Sequence, residues 1–415
     1  MLATKEETMA KFAKTILLGA AGALAMTAAA SAEPVELNVW TIDRQADPGY
    51  VYVMADEFQK LHPDIKINIK RVEFADWAND MMRAVATGTT PDIGYVDNPN
   101  MQFLSSKGAL LDITPYLAES KIVDTSKIYP GPLSTITWDG KIYGLPRGSN
   151  TLALYYNADM FKAAGLDPDK PPQTWQELYE TAKKLTDPAK NVYGLAFSAN
   201  GNEEGTFQFL PWAQSAGADY DNIAADGAVK ALELWQKIID EKIASPDTLI
   251  RGQYDSMATF NAQNAAMGIS GPWELPRMSK DAKFDFRVAT LPVWNLGDKP
   301  ASALGEGNNA IFAKTQHPKE AFMFLEYLYS QMPRVWNEFG FVPSYPVEVK
   351  DPKWPAAYAI FVESMQNARA RGPSPDWAKI STPISTAIQQ ALTHKTDAKT
   401  ALTEAQAKID AVIKK

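Results

Sequence analysis

The chain has 415 residues, no cysteine, three histidines and a formal charge of −8, with 46% hydrophobic and 22% charged residues. A net-negative chain without Lys/Arg runs lacks the basic footprint that nucleic acid or an anionic membrane surface demands. Without cysteine and without a His-x₃-His spacing, neither a disulfide scaffold nor a transition-metal site is called for, and the reading needs no cofactor.

The first segment is distinctive. Lys11 and Lys14 precede an apolar run from Ile16 to Met26, followed by small residues ending Ala30-Ser31-Ala32 before Glu33. A basic flank, a short apolar core and an A-x-A site are the layout of a secretory signal peptide. It would occupy residues 1–32, with 1–8 as an upstream extension. The apolar core is too short and too rich in Ala and Gly to span a bilayer. The expectation is an exported, periplasmic protein beginning near Glu33; losing three basic and two acidic side chains takes its charge to −9. The roughly 380 residues that follow suffice for two domains with cores of their own.

Val35, Leu37 and Val39 alternate as in a strand, and Val51, Met54, Ala55, Phe58 and Leu61 recur at helical spacing up to His62-Pro63. Ile65-x-Ile67-x-Ile69 is a second strand, Trp77 to Val85 a second helix, and Ile93 to Val96 a third strand. This alternation predicts an α/β lobe with a largely parallel sheet, whose ligands gather at the carboxyl ends of strands. Thr41-Ile42-Asp43-Arg44 and Asp97-Asn98 are the polar tips at those ends. From Leu152 the pattern restarts. Leu154 to Asn157 ends a strand, a helix runs from Ala158 to Ala164, and Thr174-x-x-Glu177 is a capping box. Tyr193 to Phe197 reads as a strand, Ala228 to Ile239 as a helix, and Ile384 to Leu392 and Ala398 to Val412 as closing helices.

Within this frame a few residues carry chemistry. Ala266-Met267-Gly268-Ile269 reads as a buried strand running into Ser270-Gly271-Pro272-Trp273, which places an indole on a tight turn at a strand's end. Sugars present C–H-rich faces that lie on aromatic rings, so Trp273 beside Asp, Asn and Arg tips suits them; packing into a core is the competing reading. Arg147, at a suspected crossover, has the fork that clamps a carboxylate, sulfonate or phosphate; a salt bridge between lobes or a sugar's hydroxyls would serve it equally. Glu203, Glu204 and Glu306 invite a glycosidase reading, for which sequence alone shows no carboxylate spacing. Tyr155-Tyr156 suggests a ferric site, but the pair ends a strand, where packing is the ordinary role. Gly305-x-Gly307 lacks the Lys-Ser/Thr of a phosphate loop, and there is no GxSxG elbow.

Several segments together resemble the extracellular solute-binding proteins of bacterial ABC sugar importers, in the cluster containing maltose-binding protein. They include Leu37-Asn38-Val39-Trp40, Thr89 to Ile93, Gly108 to Ile113, Tyr143 to Pro146, Leu154 to Asn157, Pro172 to Leu178, Ala266 to Trp273 and Ala401 to Ile409. The resemblance implies a two-lobed type II α/β fold, each lobe a mostly parallel sheet flanked by helices. Residues 33–146 and 298–336 would form the N-terminal lobe, and 147–297 and 337–415 the C-terminal lobe. It implies a monomer that buries a saccharide between the lobes and delivers it to permease transmembrane subunits. The family's ligand positions fall on Asp43, Asp97, Asn98, Asn150, Trp273, the loop from Asn202 to Thr206, Gly307 and Asn308. The tip residue Arg44 and the crossover residue Arg147 join them from the residue-level reading. Where this sequence has Asn150, the maltose-binding member has an acidic residue; that change, with Arg147 nearby, argues against a maltose-type ligand and leaves acidic or sulfonated sugars open.

Overall fold

The computed structural model describes residues 34–45, 49–372 and 374–414. The segment read as a signal peptide therefore lies outside the described residues. Among those described, no helix is long and apolar enough to cross a membrane.

The strands are Val35–Thr41 (β1), Ile65–Arg71 (β2), Ile93–Asp97 (β3), the hairpin Thr137–Trp138 (β4) and Lys141–Ile142 (β5), and Leu145–Pro146 (β6). Ala153–Asn157 (β7), Met267–Ser270 (β8), Phe286–Ala289 (β9), Ser302–Leu304 (β10), Gly307–Ile311 (β11) and Ala368–Ala370 (β12) complete the set. The first sheet has the order β2-β1-β3-β11-β6. Its β2-β1-β3 part is parallel, as the strand–helix alternation requires, and β11 runs antiparallel to β3 and β6. Leu37, Val39 and Thr41 point inward from β1 while Glu36 and Asn38 are exposed, so period-two alternation sets which face is buried. The helix Tyr50–Leu61 lays Tyr50, Val51, Met54 and Phe58 on the resulting core, which draws on residues from Leu37 to Leu145 and from Ala310 to Phe341.

The second sheet departs from the expected parallel arrangement. Its order is β8-β7-β9, and both neighbours run antiparallel to β7. β7 arrives by a direct crossover from β6, not through a helix lying on its own sheet, so no βαβ unit sets its direction. Tyr193–Phe197, expected as a strand, makes only the isolated parallel bridges Tyr193↔Ala265 and Ala196↔Gly268. The backbone there presses on a helix: a Cβ on Gly194 would meet the Ala182 carbonyl at 2.0 Å. Both faces of β7 are covered, Leu154 and Tyr156 facing one core and Ala153 and Tyr155 another. The capping box at Thr174 is present and starts the helix Trp175–Leu185.

The larger core of this half is centred on Trp235, from the helix Asp226–Asp240, which is 0% exposed. Phe197, Phe209 and Trp212 surround it at ring-centroid distances of 4.7, 5.2 and 5.9 Å. Trp273 is shared, packing half-buried against this core and against that of the first sheet. Truncating Trp235 removes the centre of one core only. Trp235→Ala should destabilise the protein by about 3–5 kcal/mol, read as a lowered urea midpoint. An unchanged midpoint would show that the helices close over the gap.

Candidate binding cleft

A cavity of about 240 Å³ lies between the carboxyl ends of β1 and β3 on one side and the crossover into β7 and the turn after β8 on the other. Of the residues expected there, Asp43 and Arg44 reach it from the end of β1, Asp97 from β3, Asn150 from the β6–β7 crossover and Trp273 from the turn after β8. Six others do not line it. Asn98 donates to the Gly305 carbonyl at 3.0 Å and accepts from Asn308 Nδ2 at 2.9 Å, so both are taken up in the wall behind Asp97. Asn202 caps the helix Glu203–Ser215 by accepting from the Glu204 N–H at 2.9 Å. Thr206 bonds to the Ser381 carbonyl, and Gly307 lies where a Cβ would strike the Tyr95 ring at 2.4 Å.

Arg147, the sixth, is 2% exposed beneath the cleft. One terminal nitrogen donates to Asp43 Oδ1 at 2.7 Å, and Nε lies 2.9 Å from Glu306 Oε1. Its guanidinium faces the Phe341 ring at 4.6 Å. Burial alone would lower its pKa, but the Asp43 and Glu306 carboxylates hold it above the usual value. The other Asp43 oxygen accepts from the Val51 N–H at 2.9 Å, in the first turn of the following helix. Burial raises the pKa of Glu306 against the opposing pull of Arg147, and Glu306 also accepts from Asn150 Nδ2 at 2.9 Å. The chain here is tight. Glu306 has a left-handed backbone (φ +77°), and a Cβ on Gly305 would come within 2.0 Å of Asn150 Oδ1. Of the roles open to Arg147, the salt bridge is the one found: its guanidinium is taken by the protein's own acids.

A matching arrangement was not visible in the sequence. Arg371, 4% exposed and lining the cavity, contacts both Asp97 oxygens at 3.1 and 3.2 Å. It also donates to Glu203 Oε1 at 2.6 Å and stands over the Phe207 ring at 4.6 Å. Glu203 accepts further from Trp377 Nε1 and Ser381 Oγ. No recognisable motif surrounds Arg371, which follows Ala368-Arg369-Ala370 and precedes Gly372-Pro373.

Across the cavity, Tyr254 is stacked between two guanidiniums, Arg44 at 3.8 Å and Arg277 at 3.9 Å from its ring centre. Arg44 follows β1 of the first sheet, whereas Tyr254 and Arg277 belong to helices on the second core's side, so the stack joins the two halves. Arg277 pairs with Glu274, and Arg71 with Glu73, which Arg44 approaches at 3.8 Å. Six acidic side chains (Asp43, Glu73, Asp97, Glu203, Glu204, Glu306) line the cavity against four arginines (Arg44, Arg71, Arg277, Arg371). The tyrosine pair is structural: Tyr155 and Tyr156 donate their hydroxyls to the carbonyls of Gly271 and Pro168 at 2.7 and 2.9 Å.

A family model described as bacterial extracellular solute-binding protein matches residues 43–333. The arabinooligosaccharide-binding protein of Bacillus subtilis is 25% identical over 339 residues, 78% of this chain and 76% of its own length. The lactose-binding protein of Rhizobium radiobacter is 26% identical over 333 residues, 76% and 74% of the two chains. Among solved structures, an ABC transporter solute-binding protein from Thermotoga lettingae bound with α-D-tagatose aligns with a TM-score of 0.82 at 26% identity, covering 91% of this chain and 99% of that one. A maltose-bound protein of T. maritima has the same TM-score of 0.82 at 22% identity, over 91% and 100%, and attests the fold.

Beside Trp273, Glu274 is 0% exposed, and burial outweighs Arg277 to push its carboxyl up to about 7 from 4.5. Because the folded value is raised, this group's contribution to stability is fully present below about pH 4.5 and is lost as the pH rises through about 7. In a ¹³C-labelled sample the Glu274 carboxyl carbon should titrate near pH 7. A midpoint near 4.5 would mean that Arg277 prevails over burial.

Proposed function

The chain belongs to the bacterial extracellular solute-binding proteins, and from that premise we propose that it is the periplasmic capture subunit of an ABC importer for an uncharged saccharide or polyol. Its architecture is the two-lobed type II α/β fold of that family, whose members are exported binding proteins. We take the core of the first sheet as one lobe, the two cores on either face of β7 as the other, and the cleft between them as the solute site. A solute that touches both sides at once favours the closed arrangement, and only by the difference in its affinity for the two states. The closed form then engages the permease's transmembrane subunits as a monomer, and the solute leaves unchanged.

The charge balance of the cleft carries the solute class. Six acids against four arginines leave the lining net-negative, which disfavours an anionic sugar. Arg147, which kept acidic and sulfonated sugars open, is engaged by Asp43 and Glu306. An ionised carboxylate has about four lone-pair directions, so Asp43 and Asp97 retain acceptor capacity for hydroxyls after binding their arginines. Trp273 offers an aromatic surface between the cores. The arabinooligosaccharide, lactose and tagatose named for the similar proteins support a carbohydrate. Nothing favours a glycosidase or a metal carrier: Glu203 and Glu306 sit in arginine pairs, and the tyrosine hydroxyls bond to carbonyls.

The test is the melting temperature of the protein with maltose, lactose, D-tagatose, D-mannitol and ribitol, each present in large excess. A true ligand at about a hundred times its Kd adds roughly 2.7 kcal/mol, a clear upward shift. The sugar should be recovered chemically unchanged. Trp273→Ala should weaken that ligand by about 1–3 kcal/mol with the fold intact. A flat response to every carbohydrate would overturn the reading, and an unchanged affinity in Trp273→Ala would remove the indole from the site.

A further inference from the structure

We propose that Glu204 is the specificity-determining residue of this cleft, accepting hydrogen bonds from solute hydroxyls and repelling sugar acids, an inference that rests on the carbohydrate reading. Two glutamates open the helix Glu203–Ser215. They are not equivalent. Glu203 is fully engaged by Arg371, Trp377 and Ser381. Glu204 lines the cavity, is 8% exposed, and has no salt-bridge partner among the described residues. The Gln253 N–H lies 3.4 Å from its Oε1, long for such a bond. Capping does not explain it, because Asn202 already performs that task.

The carboxylate is nonetheless seated deliberately. A Cβ on Gly252 would lie 2.6 Å from Glu204 Oε2, so the glycine leaves the group its space. Gln253 is itself fixed, accepting from Gln208 Nε2 at 2.9 Å. Burying an acid with neither a cation nor a full set of donors is unfavourable, and burial accordingly raises its pKa, with the Gln253 bonds opposing and Asp255 adding to the rise. Donors from a solute would satisfy it. An ammonium fits poorly, since both faces of Tyr254 are covered by guanidiniums and Phe207 faces Arg371. Neutral hydroxyls fit, and an anion would meet an uncompensated negative charge.

The experiment is calorimetric titration of the wild-type protein and Glu204→Gln with matched neutral and acidic sugars: D-mannitol and D-mannonate, maltose and maltobionate, lactose and lactobionate. At least one neutral member should bind the wild type, with its acid about tenfold or more weaker. Glu204→Gln should weaken the neutral member about tenfold, the scale of a bond to a charged group, and should narrow its advantage over the acid. The solute-free melting temperature of the variant should hold or rise, because a buried charge is removed. Gly252→Ala, at an ordinary φ of −68°, keeps the charge but displaces the carboxylate and should weaken the neutral sugar too. An acid that binds the wild type as well as its neutral partner overturns the proposal. So does unchanged neutral affinity in Glu204→Gln, or a lowered melting temperature with binding intact. If no member of any pair binds the wild type, it is the carbohydrate reading that fails, and this inference falls with it.

Discussion

The cleft is organised by two buried guanidiniums, each held between carboxylates from distant parts of the chain. Arg147 lies 104 residues from Asp43, and Arg371 lies 274 from Asp97. Withdrawing one partner from such a group leaves a charge in the interior and destabilises by about 3–5 kcal/mol. Asp43 and Asp97, at the tips of β1 and β3, are therefore tied to the chain crossovers before they meet any solute. The same ties orient them. A carboxylate whose position is set by an arginine and a backbone N–H, as in Asp43, can offer its remaining lone pairs in a fixed direction.

These ties differ in strength from the contacts across the cavity mouth. Arg147 and Arg371 are almost wholly buried, whereas the Arg44 side chain, stacked on Tyr254, is 41% exposed. A cation–π contact at such exposure contributes about 0.5–1 kcal/mol. Such a contact is broken at little cost, whereas the arginine–carboxylate groups below are not. Strain lies at the same level as those groups: Glu306, left-handed between two glycines, sits on the return crossover between β10 and β11. A rigid floor with a weakly closed mouth is what solute-driven closure requires, since a solute can shift the equilibrium only by contacts that one state has and the other lacks.

Local patterns in the sequence read through to the structure where the deciding forces were local. The alternation in Val35–Val39, the capping box at Thr174, and the polar tips at Asp43 and Asp97 depend on neighbours a few residues away. Trp273 was legible as an indole on a turn, though not as the one side chain packed on both cores. Where direction depended on distant pairing, the reading failed, as for the antiparallel setting of β7 and the bridges at Tyr193 and Ala196. Arg147 was visible as a candidate with anion clamp, salt bridge and sugar contact all open, and only the fold, which brings Asp43 and Glu306 to it, selects the salt bridge. Arg371, Tyr254 and Arg277 had no local signal at all. Each matters through a partner on another element, and nothing in its own neighbourhood in the chain marks it.

The proposal of an uncharged solute raises the question of why its cleft should hold so many charges. Hydroxyls are weak donors, and an acceptor on an ionised group strengthens such a bond roughly twofold over a neutral one. Ionised acceptors repel one another, however, and arginines placed between them permit Asp43 with Glu306, and Asp97 with Glu203, to share a small volume. On the proposed reading the arginines would thus be part of the recognition of a neutral molecule, although Arg147 is sequestered beneath the cavity. The burial that strengthens these bonds also raises the pKa values of Glu203, Glu204 and Glu306. Of these three, Glu204 alone has no arginine to compensate it among the described residues. A site that leaves one acid in that condition would gain stability when hydroxyl donors arrive, which on the proposed reading couples the chemistry of the solute to closure of the mouth.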